Sequence, residues 1–142
     1  MKGYSQLRKG RSSAPDIVYH LTFATDKRVI YFANFRTART IITYMQYCDL
    51  QNWSKTIAFV VMPDHIHWLL QPKNKNISEL VRIVKERSRK KLQVHWQKGF
   101  YDRAMRSEQE SIDIARYIIA NPKRAGLVTS VTDYPHWDCI FL

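Results

Sequence analysis

His65-Ile66-His67 are the residues whose type and spacing best suit chemistry. A strand has a side-chain period of two, so both imidazoles project from one face while Ile66 and Trp68 project from the other. Two imidazoles on one strand face can chelate a metal ion, but they need a third ligand. A second pair offers one. Tyr117 and Asn121 are four residues apart and share a helical face, with Asp113 one turn earlier, whereas Ile112, Ala115, Ile118 and Ile119 suit the packed side. A phenol and a carboxamide oxygen thus project together. Taken singly, such histidines are more often hydrogen-bonded sheet residues, and Tyr117 and Asn121 a packing residue and a helix end. The two features reinforce each other only if the helix packs over the histidine face.

The elements that must hold these groups follow from patterning. Residues 17–23 form a β-branched and aromatic run, hence a first strand, and Asp26-Lys27-Arg28 turns the chain. From about Arg36 to Gln51, Ala38, Ile41, Ile42, Met45 and Cys48 recur at helical spacing. Thr56–Met62 and His65–Gln71 read as a hairpin turning at Pro63-Asp64. Asn76 and Glu79 have capping-box spacing ahead of a helix whose buried stripe is Leu80, Val81, Val84, Ser88 and Leu92. A short fourth strand fits residues 100–105, and Ser107 with Glu110 opens a last helix that Pro122 is expected to bound near Asn121. The order β-α-β-β-α-β-α predicts an α+β fold. It is the ferredoxin-like split βαβ arrangement, an antiparallel sheet with an added C-terminal helix carrying Tyr117.

At 142 residues the chain is expected to form a single domain, 1–142, with a basic N-terminal segment (1–14) and a C-terminal tail (128–142). No run has membrane-span length and the N-terminus lacks an apolar stretch, so a soluble, cytoplasmic protein with no membrane partner is expected. Cys48 and Cys139 read as core or incidental thiols. The net charge of +11 points to a polyanionic partner, and its distribution is uneven: +4 over 1–14, +5 over 77–98 and −1 over 99–142. Residues 82–91 carry six cations against one anion, which favours a DNA-backbone track through Arg82, Lys85 and Arg89 over a merely solvated face. Aromatic residues at 13% beside this charge favour nucleic acid over a lipid surface. Trp96, Tyr101 and Trp137 can stack on unpaired bases, but such residues more often pack, and the sequence singles out none. His20, His95 and His136 read as structural or surface residues.

Four separated segments carry a family resemblance: residues 59–70 (FVVMPDHIHWLL), 96–102 (WQKGFYD), 115–127 (ARYIIANPKRAGL) and 134–138 (YPHWD). In this order they resemble the REP-associated tyrosine transposases, single-domain members of the His-hydrophobic-His endonuclease superfamily. The resemblance implies Tyr117 as nucleophile, His65 and His67 as a metal-binding pair and Asn121 as third ligand. It further implies single-stranded DNA folded into hairpins of repetitive extragenic palindromes as partner, cleaved and rejoined near the hairpin, in a bacterial nucleoid setting. The basic N-terminal segment, with Arg8, Lys9 and Arg11, would help to read a short sequence beside the hairpin. Relatives with this site include dimers in which a tyrosine helix serves the partner's histidines, so monomer and homodimer both stay open.

The implied reaction is transesterification through a 5′-phosphotyrosine, which conserves bond energy and so permits rejoining. A free tyrosine has a pKa of about 10 and needs help at neutral pH. Two imidazoles suit zinc or another late transition metal, while carboxamide, phosphate and water oxygens suit magnesium or manganese. The resemblance implies magnesium or manganese. Two rivals remain: a hairpin DNA or RNA binding module that does not cut, and a hydrolytic metallonuclease that needs no tyrosine.

Overall fold

Tyr19, Leu21 and Phe23 are buried while His20, Thr22 and Ala24 are partly exposed, and this alternation is the pleat of the first strand, β1 (Tyr19–Ala24). The computed structural model describes residues 17–141. After two short 3₁₀ turns, Asn34 caps helix α1 (Phe35–Leu50) by accepting from the Thr37 amide at 3.0 Å. The residues buried along α1 are the expected Ala38, Ile41, Ile42, Met45 and Cys48.

Strands β2 (Ser54–Met62) and β3 (His65–Pro72) form the predicted hairpin with Met62 opposite His65. Neither Pro63 nor Asp64 has a positive φ, so the turn is not of the mirror-image kind that two-residue hairpins favour. Its carbonyls are held from outside instead, Pro63 O by the Phe32 amide (3.0 Å) and Asp64 O by the Thr25 amide (2.9 Å). Helix α2 (Ile77–Leu92) starts with a complete Asn76/Glu79 capping box and buries Ile77, Leu80, Val81, Val84 and Ser88. Leu92 is only half-buried. Strand β4 (Tyr101–Ala104) is followed by α3 (Glu108–Ile119), capped by Ser107.

The sheet is antiparallel throughout, in the order β4-β1-β3-β2-β5. Its first four strands are the ferredoxin-like core. Strand β5 (Trp137–Cys139) extends the β2 edge, so the segment read from sequence as a tail contains a strand. A bulge at Ile57 places both Ile57 and Ala58 in one cluster, and the Ile57 carbonyl accepts from the Ile140 amide at 2.9 Å.

The two faces are covered differently. Helices α1 and α2 pack on the face formed by Leu21, Phe23, Phe59, Val61, Ile66, Trp68 and Leu70. Helix α3 lies on the opposite face, against Ala58, Val60, Met62, Leu69 and Cys139, through Ala115, Ile118 and Ile119. It covers the β2 side of that face. Pro122 bounds α3 as expected, the helix ending at Ile119 with Ala120 as its C-cap, but the chain does not leave helical geometry there. Ala120 keeps right-handed backbone angles (φ −83°, ψ −5°), and a short turn, α4 (Asn121–Arg124), continues with Pro122 in its first positions, where no amide is needed. Among the described residues no helix is long and apolar enough to cross a membrane.

Candidate active site

His65 and His67 emerge from β3 on the α3 face, with ring centroids 5.0 Å apart and planes near perpendicular (82°). Each ring has one nitrogen already engaged. His65 Nδ1 is 2.8 Å from Asp64 Oδ1, and Asp64 Oδ2 in turn accepts from Arg28 Nε at 2.9 Å. His67 Nδ1 lies 3.0 Å from His20 Nε2 and 3.2 Å from Thr22 Oγ1. Engaging Nδ1 fixes each ring's orientation and leaves Nε2 for another partner, the arrangement that supports metal-ligating histidines.

Electrostatics favour the neutral form of His67 and of its partner His20. Burial is the main cause that pushes His67 down to about 3, helped by the nearby His20, His65 and Arg124. His20 is pushed down to about 4, first by burial and then by Arg103. Burial works to raise the Asp64 carboxyl, but hydrogen bonds from Arg28 and His65 outweigh it and hold the group below its usual value. A ligand imidazole must be neutral, so at neutral pH His67 is ready without losing a proton.

An open cleft of about 580 Å³ lies in front of the pair, lined among others by Thr22, Arg28, Lys98, Gly99 and Tyr101. Its far wall is the 97–99 loop. Gly99 sits there at φ +79°, where a side chain would strain the backbone, and Lys85 Nζ donates to the carbonyls of Gln97 (2.9 Å) and Gly99 (2.6 Å). The ammonium of Lys85 therefore clamps the cleft wall.

Tyr117 is on the outer side of α3, half exposed, and it does not line this cleft; nor does Asn121. Arg124 joins the two regions. Its guanidinium lies 3.8 Å from the centre of the Tyr117 ring, and its charge acts on His67. Among the described residues no group of three or more His, Cys, Asp or Glu could hold a metal ion.

Arg82 and Arg89 are exposed on α2, on the other side of the sheet from the histidines, and Arg82 is 3.6 Å from Glu86. Beside them Arg87 stacks on Tyr47, and Lys75 lies over Trp53. Arg8, Lys9 and Arg11 lie outside the described residues. The sequence reading missed His20. Its signal is the strand order: in a split βαβ fold the first strand neighbours the third, so a histidine on β1 meets the face of His67.

The family model described as "Transposase IS200 like" matches residues 13–121. The chain belongs to that family. A Haemophilus influenzae protein assigned to the REP-associated tyrosine transposases is 27% identical over 124 residues, covering 75% of this chain and 67% of its own. The REP-associated tyrosine transposase of Escherichia coli K12 is 32% identical over 82 residues, covering 55% of this chain and 50% of its own. This IS200-like chain thus spans about half to two thirds of the length of these relatives. Its fold matches a solved REP-associated tyrosine transposase bound to a REP hairpin (TM-score 0.73, 20% identity, 87% of this chain and 76% of that one). A transposase structure from Deinococcus radiodurans matches more loosely (TM-score 0.54, 23% identity, 71% of this chain and 87% of that one).

Proposed function

We propose that this IS200-like protein is a metal-dependent single-strand DNA endonuclease and strand transferase that cuts and rejoins DNA beside hairpin palindromes. The observation that carries the reading is the pair of histidines on the open sheet face, each anchored through Nδ1 and each with Nε2 left over, beside the helix that bears Tyr117. The solved REP-associated tyrosine transposase bound to a REP hairpin, whose fold this chain shares, supports hairpin DNA as partner.

His65 and His67 would hold a divalent ion, magnesium or manganese, with Asn121 as a third protein ligand. When bound, the ion supplies Lewis-acid stabilisation of charge on a phosphate oxygen. The rest is done by the chain. His20, Thr22 and Asp64 keep the two imidazoles oriented. Arg124 holds the Tyr117 ring by stacking and brings a positive charge to where a phosphate must arrive. The Tyr117 oxygen then attacks phosphorus, forms a 5′-phosphotyrosine and releases a 3′-hydroxyl; attack by that hydroxyl reverses the step and rejoins the strand. Arg82 and Arg89 contact the DNA backbone on the helical side, together with Arg8, Lys9 and Arg11, while Lys85 acts through the cleft wall it clamps. The protein works in the bacterial cytoplasm.

End-labelled hairpin DNA incubated with the protein and manganese, then run on a denaturing gel, tests this. The label should move to protein mass with wild type and metal, and not with chelator. Tyr117→Phe should lose the adduct by at least about 10⁴-fold, as expected for a nucleophile. Cleavage by Tyr117→Phe at the normal rate would reject the reading in favour of hydrolysis.

A further inference from the structure

We propose that the Tyr101 ring is the stacking platform for the unpaired base next to the phosphate held at the histidine pair, which makes the cleft selective for single-stranded DNA. The inference rests on the functional reading above and adds the subsite that reads strandedness. Tyr101 is 81% exposed, although aromatic rings dominate cores and interfaces when they find cover. It stands on β4, the edge strand of the sheet. The pairing register places it directly beside Thr22, and Thr22 directly beside His67, so the three form one row across β4, β1 and β3. Two strand spacings, about 10 Å, separate the first backbone from the last.

Tyr101 and His67 thus face the same cleft from its two sides, with Thr22 between them. Its volume of about 580 Å³ falls within the range of roughly 300–1,000 Å³ common for small-ligand sites. Arg28 and Lys98 line the same cleft and supply cations for backbone phosphates. An exposed ring beside cations suits a base that has left its stack. In a duplex both base faces are covered by neighbours, so a platform of this kind selects unpaired nucleotides without reading their identity.

The test uses the full chain carrying Tyr117→Phe, so that binding is measured without turnover. The probe is a hairpin oligonucleotide from palindromes near the coding region, with single-stranded flanks in which abasic sites are placed one position at a time. One flank position should weaken binding by roughly tenfold when its base is removed, the scale of a single base–aromatic stack. Adding Tyr101→Ala should weaken intact DNA by the same factor and make that position silent. Tyr101→Phe and Tyr101→Trp should keep the wild-type profile. An unchanged abasic profile in Tyr101→Ala, or a loss in Tyr101→Phe equal to that in Tyr101→Ala, overturns the inference while the transferase reading stands. Absence of hairpin binding by the Tyr117→Phe parent overturns both.

Discussion

The two faces of this sheet are made by alternate residues of the same strands and behave as different materials. On the helical face, Leu21, Ile66, Trp68 and Leu70 are fully buried beneath α1 and α2. On the other, His20, Thr22, His65 and His67 interrupt the core, and the last three face a cleft that α3 leaves open, with His20 against His67. Hydrophobic burial stabilises the first face at about 25 cal/mol per Å². The second gives up part of that stabilisation to keep neutral imidazoles oriented. Folding strength and chemistry are therefore separable by face, and substitutions on neighbouring residues of one strand should report on different properties.

Trp68→Ala should have the largest effect on stability, about 3–5 kcal/mol, because it opens a cavity under both helices and removes the hydrogen bond that Trp68 Nε1 donates to the Thr56 hydroxyl at 2.9 Å. Urea unfolding measures it. A loss under 1 kcal/mol would erase the contrast between faces.

Acid should act through the other face. His20 and His67 sit near 4 and 3 when folded, below the ordinary histidine value of 6.5. Below pH 6.5 the unfolded chain takes up protons that the folded chain refuses, so stability is full above that pH and falls as pH drops toward 4 and then 3. The slope is about 1.4 kcal/mol per pH unit for each histidine. Thermal unfolding of the metal-free protein between pH 7 and 4 should show this slope, reduced in His20→Gln/His67→Gln; an equal slope in that variant would contradict the assignment.

His20→Ala sharpens the comparison further, since it removes a positioning partner and touches neither helix core. Manganese affinity should fall by about 10- to 100-fold, and the fall should be matched by Asp64→Asn, which acts on the other ring. Titration followed by manganese electron paramagnetic resonance reads both. Unchanged affinity in either variant would show that the ring it orients is not a ligand.

Arg82→Gln on the helical side should change stability by less than about 0.5 kcal/mol, because its exposed pairing with Glu86 is weak. Hairpin affinity should fall, with a salt dependence shallower by roughly one unit. A large stability loss with unchanged salt dependence would make Arg82 structural.

What could be read from sequence was local. The α1 stripe and the α2 capping box announce themselves within one or two turns, and the period of two in His65-Ile66-His67 decides their shared face without any knowledge of neighbours. Which face α3 covers is a long-range fact that its own periodicity does not contain. Strand β5 is three residues long, too short for alternation to show, and its pairing with β2 is what makes it a strand. Pro122 marks the end of α3, but the short α4 behind it was not legible, because a proline that ends one helix also suits the first turn of the next. Lys85 looked like one more cation in a basic run, and only the packing of the 97–99 loop against α2 reveals its clamp.

Tyr101 lines the cleft while Tyr117 is stacked under Arg124 on α3, and the two are proposed to do different work, one as base platform and the other as nucleophile. Mapping the covalent adduct by tandem mass spectrometry separates them, because tryptic cleavage places Tyr101 in the peptide 99–103 and Tyr117 in the peptide 117–123. After reaction of the wild-type protein with hairpin DNA and manganese, nuclease trimming should leave the phosphonucleotide on Tyr117 alone. A nucleotide on Tyr101, or cut DNA with no modified peptide, would contradict the account.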